Sequence, residues 1–113
     1  MLGSARTKRS RDMGAKTDAS AGQVRLTGRL ICGSERDAEL VQEHLSEHIR
    51  LTRAEPGCLS FDVFQTDDPL IWQVEECFLD KEAFEFHRHR TRASSWGTAT
   101  AGLQRAYEIS GVA

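Results

Sequence analysis

Residues 53–87 constrain this chain more than any other stretch, because they specify a helix end, two strands and a new helix start without a gap. Pro56-Gly57 stops a helix: proline cannot extend it, and glycine frees the turn. Cys58 to Gln65 and residues 70–78 read as strands joined by Thr66-Asp67-Asp68-Pro69, a hairpin-length connection. Asp80 is placed to cap a second helix, whose apolar side carries Ala83, Phe84, His87 and Thr91.

If Gln65 pairs with Leu70, then Leu59, Phe61 and Val63 share a face with Trp72, Val74, Glu76 and Phe78. Cys58 and Cys77 fall opposite each other in that register. Packed thiols are expected there over a disulfide in a reducing cytosol. Cys32 reads as a core residue.

The pattern extends in both directions. Val24, Leu26, Leu30 and Cys32 alternate with Arg25, Thr27, Arg29 and Ile31, which predicts a first strand buried on one face. Gly33-Ser34 ends it, and Ser34 can cap a helix in which Ala38, Val41, Leu45, His48, Ile49 and Thr52 recur at helical spacing. Ser94-Ser95 begins a short helical turn around Trp96, and a closing strand over residues 103–109 puts Leu103, Arg105, Tyr107 and Ile109 on one face.

The resulting order is α+β, a ferredoxin-like βαββαβ unit: one four-stranded antiparallel sheet with both helices on one face. The bare face would expose aromatic residues. A homodimer through that sheet face is the expected solution.

At 113 residues, 39% of them hydrophobic, the chain holds one modest core. Residues 1–22 form a basic leader without apolar periodicity, expected to be disordered, and Met13 could be the initiator. The folded domain spans residues 23–113. Within residues 1–20 five cations face two acids, a net of +3, whereas residues 21–113 carry ten cations and fifteen acids, a net of −5. An acidic body argues against nucleic acid as a partner. No signal peptide or membrane-spanning run is present in the sequence, so a cytoplasmic protein is the default expectation.

His87 is the leading candidate base, since helical spacing puts it beside Phe84 facing the sheet and its ordinary pKa suits proton abstraction near neutrality. Its plainer reading is a buried histidine bonded to a backbone carbonyl. Glu76 is a carboxylate on an otherwise apolar strand face, expected either to form an ion pair with Arg25, Arg29 or Arg105 or to share in proton transfer. Trp96 and Trp72 could stack on a planar substrate, with Phe84 as a wall and core packing as the alternative. His44 and His48 stand four apart and could reach one metal, but no third ligand follows at a recognised spacing, so no metal site is assigned and His48 is placed near the apolar stripe. Phosphate-binding glycine loops, Cys-x-x-Cys pairs and Gly-x-Ser-x-Gly elbows are missing from the sequence.

Glu55-Pro56-Gly57-Cys58, the Asp67-Asp68-Pro69 turn, Glu76-Cys77-Phe78-Leu79-Asp80, and Ala83 with His87 resemble the antibiotic biosynthesis monooxygenase family, including the quinol monooxygenases, over roughly residues 24–110. The resemblance implies a dimeric α/β barrel that oxidises a small hydroquinone- or anthrone-like aromatic with O2, without metal or flavin. On that footing His87 and Glu76 are the candidate catalytic pair, and Trp96, Phe84, Trp72 and His48 the substrate contacts. Haem degradation by a related branch is disfavoured, because the chain has no asparagine and Phe78 stands where that branch has tryptophan. A non-catalytic dimer that binds a small molecule, or a stress-related accessory module, is the alternative from a different class.

Overall fold

The structure, a computed structural model, describes residues 22–111. The leader expected over residues 1–22 and its Met13 lie outside the described residues, apart from Gly22. Seven elements follow: β1 (Val24–Ile31), α1 (Glu35–Arg53), β2 (Cys58–Gln65), β3 (Ile71–Phe78), α2 (Lys81–Arg92), α3 (Ser95–Thr100) and β4 (Gln104–Ser110). The strands form one antiparallel sheet in the order β2-β3-β1-β4, and the helices cover one face, giving the ferredoxin-like α+β fold.

Each helix starts where a short polar side chain can satisfy an orphan amide. The Asp37 amide donates to Ser34 Oγ at 3.2 Å, the Ala83 amide to Asp80 Oδ1 at 2.8 Å, and the Gly97 amide to Ser94 Oγ at 3.1 Å. Along β1 and β3 the even-numbered residues face the helices, and Val24, Leu30, Val74 and Phe78 are buried there with Val41 of α1 and Phe84 of α2.

The β2–β3 register differs from expectation by two residues. The connection holds five residues, not four: the Thr66 amide donates to the Ile71 carbonyl at 2.9 Å, while the Leu70 carbonyl accepts from Cys32 at 2.8 Å. Asp68 Oδ1 accepts from the Leu70 amide at 2.9 Å, an aspartate turn that draws Leu70 out of the ladder. Val63 therefore lies opposite Val74 and Phe61 opposite Glu76. Since side chains alternate with period two, the shift leaves Phe61, Val63, Trp72, Val74, Glu76 and Phe78 on the predicted face.

Leu59 is a correction to that set. A bulge between Cys58 and Ser60 turns it outward, and it is 49% exposed. The bulge also places Cys58 opposite Phe78 and Ser60 opposite Cys77, so the two thiols expected to face each other do not, and all three cysteines are free.

The Pro56-Gly57 turn lets α2 approach the start of β2. The Gly57 carbonyl accepts from the Leu79 amide at 2.8 Å, and a Cβ added to Gly57 would lie 2.2 Å from Ala83 Cβ. On the other side, Arg53 donates through Nε and Nη2 to the Phe61 carbonyl and through Nη2 to Asp62, tying the end of α1 to β2. Gly57→Ala is expected to cost about 1–3 kcal/mol through this clash. Adding Ala83→Gly should recover part of the loss; a double-mutant cycle in urea reads the coupling, and strictly additive losses would contradict the contact.

Candidate active site

The corner after α1 is a tight turn in which the Glu55 amide donates to the Thr52 carbonyl and the Cys58 amide to the Glu55 carbonyl. It turns the Glu55 carboxylate inward, where only 7% of the residue is exposed. A buried carboxylate needs charge-assisted partners. Two from α2 meet it: His87 Nδ1, at 3.2 and 3.3 Å from the two oxygens, and the Arg90 Nε–H, which donates to Oε2. Arg90 also donates through Nη2 to Thr52 Oγ1 at 3.0 Å, so its guanidinium bridges the last turn of α1 and the corner.

This arrangement fixes which nitrogen of His87 is free. With Glu55 accepting at Nδ1, the neutral ring carries its proton there and presents the Nε2 lone pair on its other side. Nε2 lies 3.4 Å from Thr91 Oγ1 and 3.8 Å from Glu76 Oε1. Burial lowers the His87 pKa, Glu55 opposes that shift, and Arg90 adds to it. Burial, reinforced by Glu55, pushes Glu76 up to about 8, so its carboxyl is protonated at neutral pH.

The ion pair expected between Glu76 and an arginine is absent among the described residues. Arg25 and Arg29 alternate onto the opposite sheet face, and Arg105 donates to the Thr100 and Leu103 carbonyls and to Thr100 Oγ1. The histidine, not a guanidinium, is the group beside Glu76.

His48 projects from α1 into the same space. Its ring stacks on Trp96 at 4.6 Å with planes 3° apart, meets Phe61 edge-on at 5.2 Å, and lies 5.9 Å from the His87 ring. Burial, with His87 and two arginines nearby, lowers its pKa to about 3, so it is a neutral ring.

His48, Glu76 and His87 line one cavity of about 720 Å³ between the sheet and the helices, within the size range of small-molecule sites. Leu26, Val63, Val74, Phe84 and Trp96 give it apolar walls. His87, Glu76 and His48 stand among them, and Tyr107, its pKa raised to about 12 by burial, adds a protonated phenol from β4. Of the residues singled out on sequence, His87, Glu76, Trp96, Phe84 and His48 share this cavity. Trp72 does not line it: it lies opposite Leu30 and Gln65, roughly 13 Å along β3 from Glu76. Among the described residues no cluster of three His, Cys, Asp or Glu side chains is placed to hold a metal, and no helix is long and apolar enough to cross a membrane.

Sequence reading missed Glu55 and Arg90. Glu55 looked like part of a turn signal, and its one clue, an acid flanking Pro-Gly at a helix exit, says nothing about direction. Arg90 could have been suspected, standing three residues after His87 on the same helical face.

Two outcomes follow from these contacts. Glu55→Gln removes the carboxylate from Nδ1, and 15N NMR of His87 should show the wild-type Nδ1–H tautomer giving way to a mixture; an unchanged tautomer would contradict the assignment. Glu76, with its pKa raised on folding, contributes stability that is complete below its unfolded pKa and is lost as pH rises through about 8. His48 works oppositely: its share is present above its unfolded pKa and is lost as pH falls toward about 3. Wild-type Tm should therefore fall between about pH 6.5 and 8, where His48 is neutral in both states and Glu76 contributes roughly 1.4 kcal/mol per pH unit, and level off above; Glu76→Gln should flatten that limb while keeping the acid one.

Residues 33–97 match the family described as antibiotic biosynthesis monooxygenase. No curated protein matches. Among solved structures, a protein from Nitrosomonas europaea is 21% identical with a TM-score of 0.67, covering 82% of this chain and 93% of its own. SnoaB from Streptomyces nogalater, a cofactor-independent oxygenase, is 13% identical with a TM-score of 0.65, covering 79% and 91%. Rv0793 from Mycobacterium tuberculosis is 21% identical with a TM-score of 0.61, covering 77% and 91%. At these identities the likeness is one of fold. With more than half of its length matched to the family, the chain belongs to the antibiotic biosynthesis monooxygenase family.

Proposed function

We propose that the protein is a cofactor-independent monooxygenase acting on a small hydroquinone- or anthrone-like aromatic with O2. The observation that carries this reading is the His87 Nε2 lone pair, backed by Glu55 at Nδ1 and facing a largely apolar cavity. Nε2 takes the proton from a phenol or the enol of a ketone, and Glu55 stabilises the imidazolium that forms. Apolar walls keep water from solvating the resulting anion, which raises its reducing power.

The anion passes one electron to O2, and the two radicals combine to form a carbon–oxygen bond. The hydroperoxide formed takes up a proton, its O–O bond breaks, and water leaves as the carbon loses its hydrogen. One oxygen atom ends in a new carbonyl and the other in water, so the aromatic supplies all four electrons. Protonated Glu76, beside Nε2, holds the substrate oxygen or supplies the proton to the peroxide. Trp96, Phe84 and the neutral His48 ring form the walls.

A homodimer through the bare sheet face completes this reading. That face carries Phe64, 52% exposed, beside the facing pair Ile31 and Ile71. Thr27 and Gln73 both donate to Glu75 Oε2, leaving their neighbours' apolar surface to be covered by another sheet.

Oxygen-electrode assays with menadiol-type and anthrone-type substrates test the chemistry. His87→Ala should lower turnover by about 10²-fold or more. Unchanged turnover would remove His87 from the mechanism, and no uptake across the panel would favour a binding module. Light scattering tests the dimer: the wild type should give twice the chain mass and Phe64→Asp should shift toward monomer, whereas a monomeric wild type would contradict the assembly.

A further inference from the structure

We infer that the substrate carries an anionic group, a carboxylate on its aromatic nucleus, held at the cavity mouth by Arg92, Arg88 and Arg105. The inference rests on the cavity being the substrate site proposed above. Charge at the mouth runs against that of the body. Residues 21–113 carry ten cations and fifteen acids, yet the exposed charged side chains lining the cavity are three arginines. Among the described residues the only acid in the lining is Glu76, which is buried and protonated at neutral pH. A cleft of one charge sign with low-dielectric walls concentrates ions of the opposite sign.

The three side chains arrive from two elements. Arg88 and Arg92 stand four apart on α2 and share a face. The last turn of a helix favours cations whatever the ligand, which by itself would explain Arg92. It does not explain Arg105, which comes from β4 to the same cavity. Its Nη1 donates to the Thr100 and Leu103 carbonyls at 2.9 and 3.1 Å and its Nη2 to Thr100 Oγ1 at 2.8 Å, so the group is held in place. A guanidinium carries five N–H donors, so three such bonds leave donors over.

Arg88 is partly compensated: Glu85 lies 3.7 Å away, and the guanidinium sits 5.5 Å over the Phe84 ring. Arg92 has no carboxylate within ion-pair distance among the described residues. A planar carboxylate can take two parallel bonds from one guanidinium, a match that a neutral quinol cannot make. A flat aromatic with one polar edge at His87 and a carboxylate at the arginine mouth would satisfy both ends of the cavity.

The test compares 6-hydroxy-2-naphthoate, whose hydroxyl and carboxylate stand at opposite ends of the ring system, with 2-naphthol, which lacks only the carboxylate, by calorimetric titration of the full-length chain. The carboxylate probe should bind roughly tenfold tighter at low salt, and the preference should shrink as salt is raised. Arg92→Glu should reduce the ratio of the two dissociation constants toward one, with Arg88→Gln as a second variant and circular dichroism confirming that each is folded. Equal affinities in the wild type, a preference untouched by both variants, or no binding of either probe would overturn the inference. Binding is read without turnover: oxygen uptake with a neutral quinol could persist while the carboxylate preference fails, and the preference could hold in a protein that oxidises nothing.

Discussion

The contact between the Glu55 carboxylate and the His87 imidazole joins parts of the chain that nothing local would bring together. It closes the corner between α1 and β2 against the middle of α2, 32 residues away in sequence. A carboxylate this buried would be costly alone; Arg90 supplies the opposite charge and reaches on to Thr52, so the corner, both helices and the imidazole become one hydrogen-bonded unit. Gly57 permits it by having no Cβ where Ala83 passes, and Arg53 fastens the other side of the corner to β2.

Around that unit the cavity stays nearly uncharged although several titratable groups line it. Burial raises the Glu76 pKa to about 8 and lowers that of His48 to about 3, so at neutral pH one is a carboxylic acid and the other a neutral ring. Tyr107 is likewise held in its protonated form. Environments that push neighbouring groups apart in acidity are how a single site holds a proton acceptor and a proton donor together. Charge is kept to the mouth, where Arg88, Arg92 and Arg105 are exposed.

Much of the fold was legible because its signals are local. Ser34, Asp80 and Ser94 bond amides three residues ahead, and such caps depend only on neighbouring sequence. Alternation along β1 and β3 identified the helix-facing residues, and it survived a two-residue error in register because side-chain direction has period two. The error arose at Asp68, whose side chain captured the Leu70 amide and lengthened the turn. Leu59 was misplaced for a similar reason: a bulge is one residue of local geometry with no compositional mark. In the site, His87 and Phe84 followed from helical spacing and Glu76 from being polar on an apolar face, whereas Trp72 was credited for its chemistry and lies too far along its strand.

The amino-acid sequence by itself determined the element order, the caps, the faces of the strands and the presence of a histidine and a carboxylate on surfaces turned toward each other. These follow from hydrogen bonds and periodicities that span a few residues. The tertiary structure alone decided that Glu55 turns inward to set the His87 tautomer, that Glu76 meets that histidine and no arginine, and that β4 brings Arg105 and Tyr107 to the same cavity. The reason is physical: each of these depends on the direction of a side chain after a turn, or on which strands lie side by side. Both are set by packing across the whole sheet, which no local pattern encodes.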